Sequence, residues 1–112
     1  MPVAHCIVSP AALDSAVHGS DPAKIWADLS NESIDSMTVS LIRREQQYGK
    51  AFPVMALLFM PPGTSEEKSM TLKLGLANAL SSHFSLEVSE IYVVTRVVEA
   101  GQVIADGEIL DG

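Results

Sequence analysis

Pro2 is the residue whose type and place could carry chemistry. Loss of Met1, expected when the next residue is small, would leave Pro2 as the amino terminus, a secondary amine at the start of an apolar run. Such an amine serves as a general base when burial or nearby positive charge disfavours its protonated form. The other reactive side chains are sparse. His5 alternates within the first apolar run, His18 stands beside Gly19, and His83 falls in the last turn of a long helical pattern, where a cation suits the helix dipole. Cys6 is the single cysteine and reads as a small buried thiol in mid-strand. One cysteine excludes an internal disulfide framework and a multi-cysteine metal site, which makes a reducing, cytoplasmic setting the expectation. No metal cluster, glycine-rich phosphate loop, nucleophile elbow or Ser/His/Asp order is visible, so neither a metal nor a cofactor is expected.

Eight segments must position these groups. Pro2 to Val8 is β-branched and ends at Ser9-Pro10, which predicts a strand stopped by proline. Pro10 to His18 has room for a helical turn or two before Gly19. Asp21 then reads as an N-cap with Pro22 at the first helical position, followed by Ile25, Trp26 and Leu29 on one face. Met37 to Arg44 is a second strand by composition, and Gln46 to Lys50 is a polar connector. Pro53 to Met60 is a continuous apolar run closed by Pro61-Pro62-Gly63, which suggests a strand covered on both faces. Thr64-Ser65-Glu66-Glu67 suggests a capping box with Thr64 as N-cap and Glu67 at the third helical position. Met70, Leu72, Leu74, Leu76, Ala77, Leu80 and Phe84 mark the apolar face of a helix of about five turns. Ile91 to Val98 is the strongest strand signal, Gln102 to Ala105 is a short strand candidate, and Asp106-Gly107 signals a turn.

The order is β-α-β followed by β-α-β, with Pro2-Val3 and Pro53-Val54 opening the two units. Right-handed crossovers lay both helices on one sheet face and leave the other face apolar and uncovered. Composition agrees. Hydrophobic residues make up 47% and charged residues 19%, while a chain this short buries roughly 60 to 70% of its unfolded surface. Apolar surface is left over, and self-association is a direct way to bury it. The formal charge of −7 and the scattered basic residues, with no run beyond Arg43-Arg44, argue against binding nucleic acid or an anionic membrane. No signal peptide or membrane-spanning stretch is seen.

In length and element order the chain resembles the tautomerase superfamily, which includes 4-oxalocrotonate tautomerase and macrophage migration inhibitory factor. Residue-level support comes from Pro2 and from the segment 53–107. Thr64-Ser65-Glu66-Glu67-Lys68 is similar to the family's helix start, and Ile91-Tyr92-Val93-Val94 to the closing strand of the macrophage-factor branch. Ile104-Ala105-Asp106-Gly107-Glu108 is similar to the family's Gly-Gly tail, with Asp106 in place of a glycine. The resemblance implies a single α+β domain over 1–112, with pseudo-repeats 2–50 and 53–107. It implies a four-stranded mixed sheet with two helices on one face, a short C-terminal strand, and a homotrimer.

It also implies a cofactor-independent keto-enol tautomerase or isomerase acting on a small-molecule substrate, a 2-oxo acid or enol, with Pro2 as general base. Tyr92 would reach a neighbouring subunit's proline pocket, and Met55, Leu57, Val103 and Ile104 would line the pocket and exclude water. Two departures stand out. The arginine of the 4-oxalocrotonate branch falls on Gly63 or Thr64, and the lysine of the macrophage-factor branch falls on Glu32 or Ser33. A carboxylate-binding cation would then come from Arg96 or Arg44, which share side-chain parity with Tyr92-type positions. Two alternatives use the same element order. One is a trimer of this fold that binds a ligand or partner without catalysis, and the other is a ferredoxin-like small-molecule-binding module.

Overall fold

The computed structural model describes residues 1–111; Gly112, the end of the expected 1–112 domain, lies outside the described residues. Strand β1 (Val3–Val8) runs into a short helix α1 (Pro10–Asp14), whose N-cap Ser9 accepts from the Ala12 N–H at 3.1 Å. Helix α2 (Pro22–Ser30) begins where the sequence predicts. The Asp21 carboxylate accepts from the N–H groups of Ala23 and Lys24 at 2.9 and 3.2 Å, with Pro22 in the first turn. A 3₁₀ turn (Ile34–Ser36) leads to β2 (Thr38–Arg43), and β3 (Val54–Met60) precedes the long helix α3 (Glu66–Phe84). A second 3₁₀ turn (Val88–Glu90) enters β4 (Ile91–Val97). The chain closes on a hairpin of β5 (Ile104–Ala105) and β6 (Glu108–Ile109). Its turn residues, Asp106 and Gly107, have φ of 54° and 80°, the left-handed pair that a two-residue hairpin turn requires.

The sheet order is β2-β1-β3-β4, with β1 parallel to β2, β3 parallel to β4, and β1 antiparallel to β3 at the centre. This rules out the ferredoxin-like alternative. There the parallel strands of a split β-α-β unit are separated by another strand, whereas here the strands of each unit are direct neighbours. One sheet face carries Ala4, Cys6, Val8, Val54, Ala56, Leu58 and Met60, all buried under α2 and α3. The helices contribute Trp26, Leu72, Leu76, Leu80 and Phe84 to the same core. Cys6 is fully buried, as its place in mid-strand suggests, and burial pushes its thiol up to about 12.

Several sequence expectations shift by one face or one residue. On α2 the buried residues are Trp26, Ala27 and Ser30, and Leu29 points outward. On α3 the core row is Leu72, Leu76, Leu80 and Phe84, while Met70 and Leu74 are half exposed. The N-cap of α3 is Ser65, not Thr64. The Ser65 hydroxyl accepts from the Lys68 N–H at 3.1 Å, whereas the Thr64 hydroxyl donates to the Pro61 carbonyl at 2.7 Å. Nor is β3 covered on both faces, for Leu57 is 42% exposed. Its neighbours across the register, His5 on β1 and Val94 on β4, are exposed as well. With Ile7, Ile42 and Tyr92 they form an apolar face free of helices. His83 is buried rather than a solvated cation at the helix end. Its Nδ1 lies 2.9 Å from the Ser20 hydroxyl, and burial holds the imidazole below its usual range against the opposing pull of Asp21.

Candidate active site

Pro2 is buried at the head of β1, and its carbonyl accepts from the Thr38 N–H at 3.1 Å, which ties the residue into the ladder with β2. Beside it opens a cavity of about 390 Å³ lined by Met1, Pro2, Glu32, Ser36, Gly63, Thr64, Ser65 and Lys68, with Leu72 at its apolar base. Three connections build it. The turn Pro61-Pro62-Gly63 leaves β3 with Gly63 at φ 81°, a conformation that suits glycine, and the Thr64 N–H closes on the Pro61 carbonyl at 3.3 Å. Asn31 ends α2 in the left-handed conformation, and the Glu32 N–H folds back to the Ala27 carbonyl at 2.9 Å. Ser36 enters from the 3₁₀ turn before β2.

The electrostatics of the cavity come from three groups. Lys68 Nζ stands 2.8 Å from Glu32 Oε1. The Met1 ammonium, which also lines the cavity, is pushed below its usual value, first by burial and second by the Lys68 ammonium, with Glu32 pulling in the opposite direction. Burial and the Lys68 ammonium thus favour the neutral form of the Met1 amine.

The other expected site residues are spread over the sheet. Tyr92 is opposite Met55 on β3, whereas Val3 is opposite Phe59, so Tyr92 is displaced from Val3 by about 13 Å along the strands and from Pro2 by one residue more. Its ring packs against Phe52 with centroids 5.2 Å apart. Within one chain Tyr92 and Pro2 do not meet. Arg96 does project from the same open face as Tyr92, as parity requires, beside Phe59 and a 190 Å³ hollow also lined by Leu57 and Val94. Arg44 lies at the other end of the sheet. Its N–H donates to the Val8 carbonyl at the opposite end of β1, and its guanidinium donates to Gln47 Oε1 and the Phe52 carbonyl, both at 3.0 Å. It orders the connector between β2 and β3 and stands far from Pro2 of its own chain. Met55 is next to that same connector, its sulfur accepting from Gln47 Nε2 at 3.2 Å. Val103 is at the Pro2 end, where it lines a 50 Å³ hollow with Met1, Val3 and Met60, but Ile104 is 72% exposed on the hairpin.

The cation beside Pro2 is thus Lys68, a residue to which the sequence reading gave no role, and its partner Glu32 entered that reading only as the absence of a lysine. A signal was present. A lysine in the first turn of a helix sits against the positive end of the dipole. Such a local conflict calls for a tertiary partner or a function. The pairing stayed hidden because it depends on where α2 ends relative to the start of α3.

No protein-family model matches the sequence, and no curated protein matches it either. Solved structures do match its fold. A wild-type fused 4-OT, an asymmetric trimer, is 11% identical with a TM-score of 0.71, over 96% of this chain and 94% of that one. Pt0534 inactivated by 2-oxo-3-pentynoate is 13% identical with a TM-score of 0.69, over the same shares of 96% and 94%. Macrophage migration inhibitory factor from Oncomelania hupensis is 15% identical with a TM-score of 0.70, over 99% of this chain and 83% of that one. These neighbours are tautomerase superfamily members. The chain shares their fold, a four-stranded mixed sheet built from two β-α-β units with both long helices on one face.

Proposed function

We propose that the chain is a cofactor-independent keto-enol tautomerase or isomerase that uses Pro2, freed by removal of Met1, as its general base on an enolisable 2-oxo compound. The observation that carries this reading is the buried proline at the head of β1, in a cavity shared with Lys68; burial and Lys68 lower the pKa of the Met1 ammonium there, and the same two influences would act on a Pro2 amine freed in its place. The neutral nitrogen takes the proton from the carbon next to a carbonyl. Lys68 donates a hydrogen bond to the oxygen that gains charge, and the protonated amine returns the proton to a different carbon or to oxygen. Leu72 and the Pro61-Pro62 turn supply an apolar wall that limits water and favours the neutral amine.

The reading includes a homotrimer. The open sheet face carries Ile7, Ile42, Leu57, Tyr92 and Val94, all more than a third exposed in the single chain, and a fused 4-OT neighbour is a trimer. Packing this face against copies of itself would also move Tyr92 and Arg96 toward a neighbour's Pro2, which they do not approach within their own chain.

Intact mass of the purified protein tests the first requirement, since a retained Met1 blocks the base and overturns the proposal. A conjugated ynone tests the second. Pt0534 is inactivated by 2-oxo-3-pentynoate, and the same reagent is expected to add one molecule at Pro2 here. Pro2→Ala should abolish both labelling and isomerase activity while size and circular dichroism stay unchanged. An unaffected rate in that variant would remove proline from the mechanism.

A further inference from the structure

The cavity beside Pro2 has one cationic and one anionic side chain in its lining, and they hold each other. Lys68 Nζ and Glu32 Oε1 are 2.8 Å apart, with the side chains 55% and 22% exposed respectively. Both backbones are fixed. Glu32 follows the left-handed cap of α2 with its N–H on the Ala27 carbonyl, and Lys68 occupies the first turn of α3 with its N–H on the Ser65 hydroxyl. The two helices are pinned together by the Trp26 indole, which donates to the Leu72 carbonyl at 2.9 Å. Two anchored helix ends therefore set the pair.

Each partner is unfavourable alone, because a lysine in a first helical turn opposes the dipole and a largely buried carboxylate needs a cation. Together they cancel. The consequence falls on any ligand that enters. A carboxylate must take Lys68 from Glu32, and the displaced Glu32 charge remains close to it. An uncharged carbonyl or enol oxygen meets no such opposition, since an ammonium has three donors and can serve both Glu32 and the ligand. The chain's net charge of −7 acts in the same direction.

We propose that Glu32 determines specificity by holding Lys68, which disfavours carboxylate substrates and turns the Pro2 site toward uncharged enolisable carbonyl compounds such as 2-oxo esters and 1,3-diketones. This inference rests on Pro2 being the base and narrows its substrate class away from the 2-oxo acids that the family resemblance suggests.

The probes are 2-oxo-3-pentynoate and its methyl ester, which offer the same ynone to the Pro2 amine. The nitrogen bonds to the alkyne carbon β to the ketone as one π bond breaks, and the amine proton moves to the adjacent carbon. The protein gains the whole reagent, with no oxidation or reduction. Labelling rates at Pro2 are read by intact mass for wild type and variants, each normalised to the reagent's rate with prolinamide. Wild type is expected to favour the ester. Glu32→Gln should raise the acid-to-ester ratio by about tenfold or more, and Glu32→Asp, which keeps the charge, should stay near the wild-type ratio. Any change in amine basicity acts on both reagents and cancels in that ratio. A wild type that prefers the acid, an unchanged ratio in Glu32→Gln, or an equal rise in Glu32→Asp overturns the proposal. If neither reagent labels wild-type Pro2, the base assignment itself fails, and this inference falls with it.

Discussion

Replacing Trp26 by phenylalanine tests the seam on which the cavity depends. The indole is fully buried, and its Nε1–H reaches the Leu72 carbonyl at 2.9 Å, joining the middle of α2 to the first half of α3. Phenylalanine keeps an aromatic ring but loses the donor. The Leu72 carbonyl retains its own helical partner, so the missing hydrogen bond costs about 1 kcal/mol. The smaller ring leaves a void of about 40 Å³, worth about 1 kcal/mol at the usual cavity coefficient. The apolar surface no longer buried adds about 1 kcal/mol. The sum, about 3 kcal/mol, corresponds to a midpoint lower by about 10–15 °C for a chain of this size. Because Trp26 is the single tryptophan, unfolding is followed by far-ultraviolet circular dichroism rather than by its fluorescence. Protein concentration is held constant to remove any contribution from assembly. The same loosening should weaken the hold of Glu32 on Lys68, so the variant's acid-to-ester labelling ratio should move toward that of Glu32→Gln. A loss below about 0.5 kcal/mol, the range of ordinary surface substitutions, would refute the view that the indole locks the helices.

The same seam makes a second prediction at Gly75, where an added Cβ would lie 2.5 Å from Ser30 Oγ and 3.4 Å from Trp26 Cδ1. Gly75→Ala should destabilise by about 1–3 kcal/mol despite its better helix propensity, measured by urea unfolding. Ser30→Ala should cost little alone, because the buried Ser30 hydroxyl has no hydrogen-bond partner among the described residues, and should recover part of the loss in the double variant. His83 predicts a pH dependence. Its folded value lies below the ordinary one, so the fold favours neutral imidazole. That contribution is present above about pH 6.5 and is lost as pH falls through the lowered value. The urea midpoint should drop between pH 7.5 and 5, and His83→Gln should flatten that part of the profile; an unchanged slope would refute it. For the open face, Leu57→Asp places a charge amid Ile7, Ile42 and Val94. It should convert the expected trimer to monomer in light scattering, with the helical signal kept, and a persistent trimer would assign assembly to another surface.

The elements were legible because their signals are local. Asp21-Pro22 starts α2 through capping chemistry that needs only adjacent residues, and Asp106-Gly107 makes its turn because both residues tolerate positive φ. Parity placed Tyr92 and Arg96 on one face for the same reason, as alternation is a property of the strand alone. Faces and caps decided by neighbours were less legible. Met70 and Leu74 are as apolar as Leu72 and Leu76, and only the position of the sheet selects which row is buried. Ser65 and Thr64 are both good caps, and the turn at Pro61 uses the Thr64 hydroxyl, leaving Ser65 for the helix.

Pro2 could be singled out from sequence because its chemistry belongs to one residue and one chain end. Its surroundings could not. Side-chain direction singled out Arg44 and Arg96, but within one chain Arg44 donates to Gln47 and the Phe52 carbonyl, and Arg96 is two strands away from β1. Lys68 and Glu32 are separated by β2, the connector after it and all of β3. They meet because β1 and β3 run antiparallel at the centre of the sheet, which brings the end of α2 and the beginning of α3 to the same edge as the amino terminus. Composition, periodicity and capping thus determined the order of elements, and residue type singled out Pro2 as the candidate base, since these are properties of neighbouring residues. The charge that stands beside that terminus was decided only by tertiary structure, because an ion pair between distant segments is set by packing and leaves no trace in local sequence.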